Sequence, residues 1–345
     1  MSTQKEIQFA SQDELVVKSN RFVTAKYDWT PTEHRIIAMM IAQLKKDDES
    51  FDVQTIHIRD IREMTETRSK DLYSRGEEIC QKLLAQKIEI RTTDTEGLRE
   101  YEGYNLLSTC RYSEGSGAIQ AKFNEDMRPF LLELRRRFTI YQLQYVMRLR
   151  SQYSIRIYEM LKMREGLGFY RVTVERLREL LMITHKYTGS FSQVKAKVLE
   201  PAREEIKEKC DILFTYHVER EGRTPVAINF MIHSNRDVEP AVSQDEIKRL
   251  KARRVPDDDA AGNGARASEA ANGNEGDDAP LKLDGYQMFL TERTQEELEA
   301  MGDKELQELR EAAEKRVSDQ HPEVGSSYRA SEVYRVMKRL WADRQ

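Results

Sequence analysis

Residues 212–232 read ILFTYHVEREGRTPVAINFMI. Apolar and polar residues alternate on both sides of REGR, the pattern of two half-buried antiparallel strands joined by a tight turn. Ile212, Phe214, Tyr216 and Val218 share one face, and Val226, Ile228, Phe230 and Ile232 answer them. Just upstream, FSQVKAKVLEPAREEI (191–206) has helical spacing but an inverted charge order, with Lys195 and Lys197 early and Glu204 and Glu205 late. A helix ordinarily favours acids in its first turn and bases in its last, because of the orphan amides and carbonyls at its ends. An external anion at the front of this helix accounts for the inversion. The later acids are expected to point toward solvent or Arg156, and Pro201 is expected to kink the axis.

Working outward, QLQYVMRLRSQYSIRIYEMLKMRE (142–165) reads as one long helix, GFYRVTV as a short strand and VERLRELLMI as a short helix. The front of the chain repeats this order. Thr30 caps PTEHRIIAMMIAQLKK, with Pro31 at the first helical position and Glu33 in the first turn. FDVQTIHI alternates as a strand, a short helix follows near Ile61–Met64, and a longer one is expected across Ser69–Leu84. KIEIRTT, the turn DTEG and YEGYNLLSTCRY are expected to form a long-armed hairpin, with AIQAKF as a further strand. Helix, strand, helix, helix and hairpin, written twice, define an α+β, helix-rich chain of two tandem winged-helix domains. In such domains a helix enters the DNA major groove and the hairpin wing flanks the backbone.

The domain expectation is a tail at 1–14, a first winged-helix domain at 15–138 and a second at 139–236. A charged, low-complexity disordered linker at 237–282 and a helical C-terminal module at 283–345 complete it. The composition break is plainest at 255–280, which has almost no large apolar residue and cannot offset its ordering entropy. The module carries Leu298, Met301, Leu306 and Leu309, then Val333, Val336, Met337 and Leu340, at helical spacing.

The 345 residues carry a net charge of −4, so the chain as a whole does not advertise a polyanion partner. Locally the balance reverses. Arg128, Arg135, Arg136, Arg137, Arg148, Arg150, Arg156, Lys162 and Arg164 face only Glu133 and Glu159 over that stretch. Three cysteines without metal-ligand spacing suit a reducing cytosol. With no signal-peptide core and no long apolar segment, the chain is expected to be soluble and cytoplasmic. No Gly-Lys pair offers a phosphate-cradling loop, the six histidines are scattered, and Gly-x-Ser-x-Gly is absent. His57 and His217 are read as structural strand residues. The chain is therefore expected to be no enzyme, with no cofactor and no metal.

LVVKSNRFVTAKYDWTPTEHRII (15–37), FTIYQLQYVMRLRSQYSIRIYEMLK (138–162), VKAKVLEPAREEI (194–206) and EGRTPVAINFMI (221–232) together resemble the iteron-binding plasmid replication initiators. The resemblance implies monomers that bind directly repeated duplex sites and dimers that bind an inverted repeat and repress their own gene. It also implies origin melting and recruitment of the host replicative helicase, without catalysis. The chain departs from that family at Val194, Lys195, Ala196 and Lys197, where an aromatic and a middle base are gone, and at Met182, which stands where the family has glycine.

The DNA-contact candidates in the second domain are Lys186, Ser190, Ser192, Gln193, Lys195 and Lys197, with Arg220 and Arg223 on the wing. Hydroxyls and ammonium groups suit phosphate, and Gln193 can make a bidentate contact to adenine. In the first domain the candidates are Arg68, Ser69, Lys70, Tyr73 and Arg75, with Arg135, Arg136 and Arg137 between the domains. Two other functions fit the same pattern: a winged-helix transcriptional regulator, and an adaptor using its helices as docking surfaces. Direct repeats beside an AT-rich stretch distinguish the initiator from the regulator, and salt-insensitive binding marks the adaptor.

Overall fold

The computed structural model describes residues 15–45, 48–65, 71–93, 99–134, 138–188 and 190–238. It also describes 242, 247, 281–283, 286–288, 308, 311–313, 315–316 and 336. The front half runs β1 (Leu15–Ser19), α1 (Asn20–Val23), α2 (Pro31–Ala42), β2 (Gln54–His57), α3 (Ile58–Met64), α4 (Asp71–Ser74) and α5 (Gly76–Leu84). It continues through β3 (Lys87–Thr93), β4 (Arg99–Asn105), β5 (Leu107–Ser113), β6 (Ala118–Phe123) and α6 (Arg128–Leu131). Then come β7 (Phe138–Gln142), α7 (Leu143–Arg148), α8 (Gln152–Met163), β8 (Phe169–Thr173) and α9 (Val174–Leu180). α10 (Phe191–Val194), a π-helical turn (Lys195–Leu199) and α11 (Glu200–Lys209) lead to β9 (Ile212–Glu221) and β10 (Thr224–Ser234).

α2 starts where the sequence places it. Thr30 Oγ accepts from the Glu33 amide at 3.4 Å, and the Glu33 carboxylate accepts from the Thr30 amide at 2.9 Å, a reciprocal capping box. The second hairpin also has the expected facing: Ile228 pairs with Val218, Phe230 with Tyr216 and Ile232 with Phe214. Val226 instead falls in a bulge between Pro225 and Ala227, where the missing proline amide breaks the ladder. β8 completes the sheet in the order β8-β10-β9.

Four expectations are corrected. The long helix at 142–165 is two helices, because Leu149 is extended (φ −73°, ψ 131°) and Ser151 caps α8 by accepting from the Tyr153 and Ser154 amides. The break is satisfied from outside: Arg35 donates to the Leu149 carbonyl, and Glu205 accepts from the Arg150 and Ser151 amides. The long arm 101–112 likewise splits at buried Leu106, so β4 pairs with β3 while β5 pairs with β6 in a β2-β6-β5 sheet. The turn DTEG lies outside the described residues. The helix expected from Ser69 is described from residue 71 and is interrupted at Arg75. The fourth correction concerns the module expected to be helical from Leu283, which opens on a two-stranded ribbon, β11 (Leu281–Leu283) against β12 (Tyr286–Met288).

Pro201 produces a change of helical repeat. The π turn directly before it lets the chain pass the missing donor and continue as α11. Val194, Val198, Leu199, Ala202 and Ile206 stay buried along this helix.

One hydrophobic cluster runs through both halves, from Val16 and Phe22 to Phe230 and Ile232. β1 pairs antiparallel with β7, so the first strand of the chain lies beside the strand that opens the second half. Part of the segment expected to be linker packs here. Gln142 donates to the Val242 carbonyl at 2.8 Å, and Ile247 is buried with Val17 and Ile140. Val242 and Ile247 are apolar and precede the composition break at 255, which is why they can dock. No helix among the described residues is long and apolar enough to cross a membrane.

The end of α9 closes in a Schellman arrangement. The Ile183 amide donates to the Arg178 carbonyl at 2.8 Å, and the Met182 amide to the Glu179 carbonyl at 3.0 Å. Met182 therefore sits at the left-handed position that favours glycine, with φ 54°. Its side chain is 38% exposed, so little packing is at stake. Met182→Gly is expected to stabilise the protein by about 0.5–1 kcal/mol, because relief of about 1–2 kcal/mol of left-handed strain exceeds glycine's extra unfolded-state entropy. Urea unfolding measures this, and a variant less stable than the parent contradicts it.

Candidate nucleic-acid interface

The helix from Phe191 to Lys209 presents two unlike faces. Val194, Val198 and Leu199 are inside, while Ser192, Gln193, Lys195, Ala196 and Lys197 are all exposed. Ser190 Oγ caps it by accepting from the Ser192 amide at 3.2 Å, so this hydroxyl already has a structural partner. Lys195 Nζ is 3.8 Å from Glu200, a long and exposed pairing that leaves its charge available. Glu200 also accepts from Tyr216 Oη at 2.7 Å, which ties the helix to β9.

The acids late in this helix find local partners. Glu205 pairs with Lys209 at 3.0 Å and caps α8, and Glu204 pairs with Arg203 at 3.1 Å. Arg156, expected as a partner for them, lies buried 3% exposed and bonds elsewhere. Its guanidinium donates to the Ala25 carbonyl at 2.9 Å and the Leu180 carbonyl at 3.4 Å, and it lies 3.9 Å over the Tyr27 ring. The basic stretch 128–164 is thus partly internal. Lys162 is also buried, against Asp211 and Glu165, and Arg128 pairs with Glu133 at 3.1 Å. Arg148 and Arg150 remain exposed.

Arg178 was not legible as a functional residue, since it reads as one more polar position on a short helix. Its guanidinium reaches the Lys186 carbonyl at 3.0 Å and the Tyr187 carbonyl at 2.9 Å. Tyr187 has φ 57°. Arg178 therefore clamps the loop that delivers exposed Lys186 and the start of α10. On the wing, Arg220 donates to the Arg223 carbonyl at 3.0 Å across Gly222, whose φ of 59° makes the turn, and both arginines are exposed. His57 ends β2 and His217 lies within β9, both in strands as expected, with His217 exposed.

In the first half, Tyr73 is half-buried and packs on one side. Its ring lies where a Cβ on Gly117 would come within 2.6 Å, and its carbonyl accepts from Tyr112 Oη at 2.8 Å. Arg75 Nε donates to Glu78 at 3.0 Å from an exposed position. Arg68, Ser69, Lys70, Arg135, Arg136 and Arg137 lie outside the described residues. Among the described residues no group of three or more His, Cys, Asp or Glu side chains is placed to hold a metal ion.

The two halves define a tandem winged-helix protein. The family model "Initiator Replication protein, WH1" matches residues 15–162, and "Initiator Rep protein, WH2" matches 173–232. The chain belongs to this family of initiator replication proteins, DNA-binding proteins that start plasmid replication. It is similar to a replication initiation protein of Escherichia coli, 22% identical over 248 residues that cover 69% of this chain and 75% of that one. The PI protein of Escherichia coli is 29% identical over 175 residues, 45% of this chain and 56% of that protein. Among solved structures, the Pi initiator protein in complex with iteron DNA shares the fold. Its TM-score is 0.56 at 23% identity, covering 66% of this chain and all of that one.

Proposed function

We propose that the chain starts replication by binding directly repeated duplex sites at a plasmid origin, without a catalytic step or cofactor. The observation that carries this reading is the exposed front of the helix at 191–209. Ser192, Gln193, Lys195 and Lys197 stand free of the core there, and the wing arginines Arg220 and Arg223 come from the adjoining hairpin. Phosphate supplies the negative charge that this helix lacks at its N-terminal end. Lys186 and Ser190 join the backbone contacts. In the first domain, Arg68, Ser69, Lys70, Tyr73 and Arg75 grip the neighbouring groove, and Arg135, Arg136 and Arg137 reach phosphate between the two. The likeness to a structure solved on iteron DNA supports this assignment. A dimer in equilibrium with the monomer binds an inverted repeat and represses the chain's own gene. The DNA-bound monomer recruits the host helicase in the cytoplasm. The two winged-helix domains, divided near residue 138, act in tandem, and the C-terminal module serves assembly.

Fluorescence anisotropy over a salt series, using duplex from beside the chain's own gene, tests the reading. A preference for the native repeats over a shuffled duplex of about a thousandfold or more, with a steep salt slope, is expected. Equal and weak binding to both overturns it.

A further inference from the structure

Cys80 on α5 and Cys110 on β5 bring their sulfurs to 3.0 Å, with the Cys110 thiol donating to Cys80. Both are free thiols. They line one open cleft of about 470 Å³, with Glu77, Gln81, Tyr112 and Glu114 among its walls. Cys80 is 6% exposed and Cys110 half-buried on that wall, whereas Cys210 is wholly inaccessible. The hydrogen bond from Cys110 holds the Cys80 thiol below its ordinary range against the effect of burial, and the same bond pushes Cys110 up. A cysteine lowered toward ionisation and in contact with a second, proton-bearing thiol on a cleft wall is the arrangement in which cysteine oxidation ends in a disulfide.

We propose that Cys80 and Cys110 form an oxidisable dithiol that a small hydroperoxide converts to a disulfide, cross-linking α5 of the first winged-helix unit to its sheet. The Cys80 sulfur attacks one peroxide oxygen and the O–O bond breaks. With hydrogen peroxide, the departing hydroxide takes the thiol proton and leaves as water, and Cys80 becomes a sulfenic acid. The Cys110 sulfur then attacks the Cys80 sulfur, the S–O bond breaks, and the second hydroxide leaves as water with the Cys110 proton. Two electrons pass from the sulfur pair to the peroxide, and a small dithiol reverses the change by exchange. The exposed Glu77 and Glu114 repel anionic disulfides, which is why the oxidant class is a small neutral peroxide. The cross-link closes a loop of 30 residues between the helix that follows Tyr73 and Arg75 and the strand it packs on.

The test treats the full chain, folded and free of DNA, with hydrogen peroxide. Thiols are counted after denaturation and the tryptic peptides are mapped. Free thiols are expected to fall from three to one, with the peptide Gly76–Lys82 joined to Glu100–Arg111, and dithiothreitol is expected to restore all three. Cys110→Ser is expected to leave Cys80 as a sulfenic acid that dimedone traps. Three persisting thiols, or oxidation without the joined peptide, overturn the proposal.

Discussion

Glu159→Ala is expected to lower the unfolding free energy by about 3–5 kcal/mol, the cost of leaving buried charges without their partner. Glu159 is 2% exposed on α8. One carboxylate oxygen accepts from Lys18 Nζ at 2.6 Å and Tyr141 Oη at 2.7 Å. The other accepts from Tyr27 Oη at 3.2 Å and faces Arg156 at 3.5 Å. Lys18 comes from β1, Tyr27 from the segment after α1, and Tyr141 from β7, so one side chain ties the start of the chain to its middle. Removing it strands Lys18 and Arg156, both nearly inaccessible to water. Burial alone would raise the Glu159 carboxyl, but Lys18, with its charge and hydrogen bond, and the neighbouring His34 and Arg156 outweigh it and hold the group at about 2, below its ordinary 4.5. A depressed carboxyl stabilises the fold above its unfolded value and loses that contribution as pH falls from about 4.5 toward 2. Urea unfolding at neutral pH and near pH 3 checks both statements. The parent is expected to weaken over that range through this group, and Glu159→Gln to weaken less. A loss under about 1 kcal/mol for Glu159→Ala would place the network among ordinary surface pairs.

The second large effect is on DNA. Gln193→Ala is expected to weaken binding to the native repeat by about 1–3 kcal/mol, roughly fivefold to 150-fold, with little change on a shuffled duplex, as loss of an amide that reads one adenine does. Lys197→Ala is expected to weaken both duplexes alike and to reduce the salt slope by about one unit, as loss of a phosphate contact does. The two substitutions separate base reading from backbone grip on adjacent turns of one exposed helix face. Both side chains are outside the core, so neither change should alter the urea midpoint. Equal losses on native and shuffled duplex for Gln193→Ala would remove it as a base reader.

The tandem winged-helix order was legible because it rests on local signals. Thr30 with Glu33 makes a cap from residues three apart, and the hairpin at 212–232 declares its facing by alternation. The exposed front of the helix at 191–209 was legible for the same reason. Single-residue interruptions were not. Leu149 and Leu106 are ordinary apolar residues, and their breaks exist because Arg35, Glu205, Gln86 and Asn124 bond the freed backbone groups from distant segments. Met182 is a mixed case: its place against a family glycine was visible, and its φ of 54° gives the physical meaning.

Charge shows the same division. Arg156 and Glu159 lie three apart on a helix, a spacing shared by any exposed ion pair. Nothing local distinguishes a buried pair from a solvated one. The sequence by itself determined the order of helices and strands in the two halves, the family and the exposed polar face of the helix at 191–209, since each depends on residues within a few turns of one another. Only the tertiary structure decided which bases are spent inside the protein, where the helices break, and that Cys80 meets Cys110. Those outcomes depend on which distant segments arrive to cover a charge, bond a carbonyl or place a second sulfur within contact.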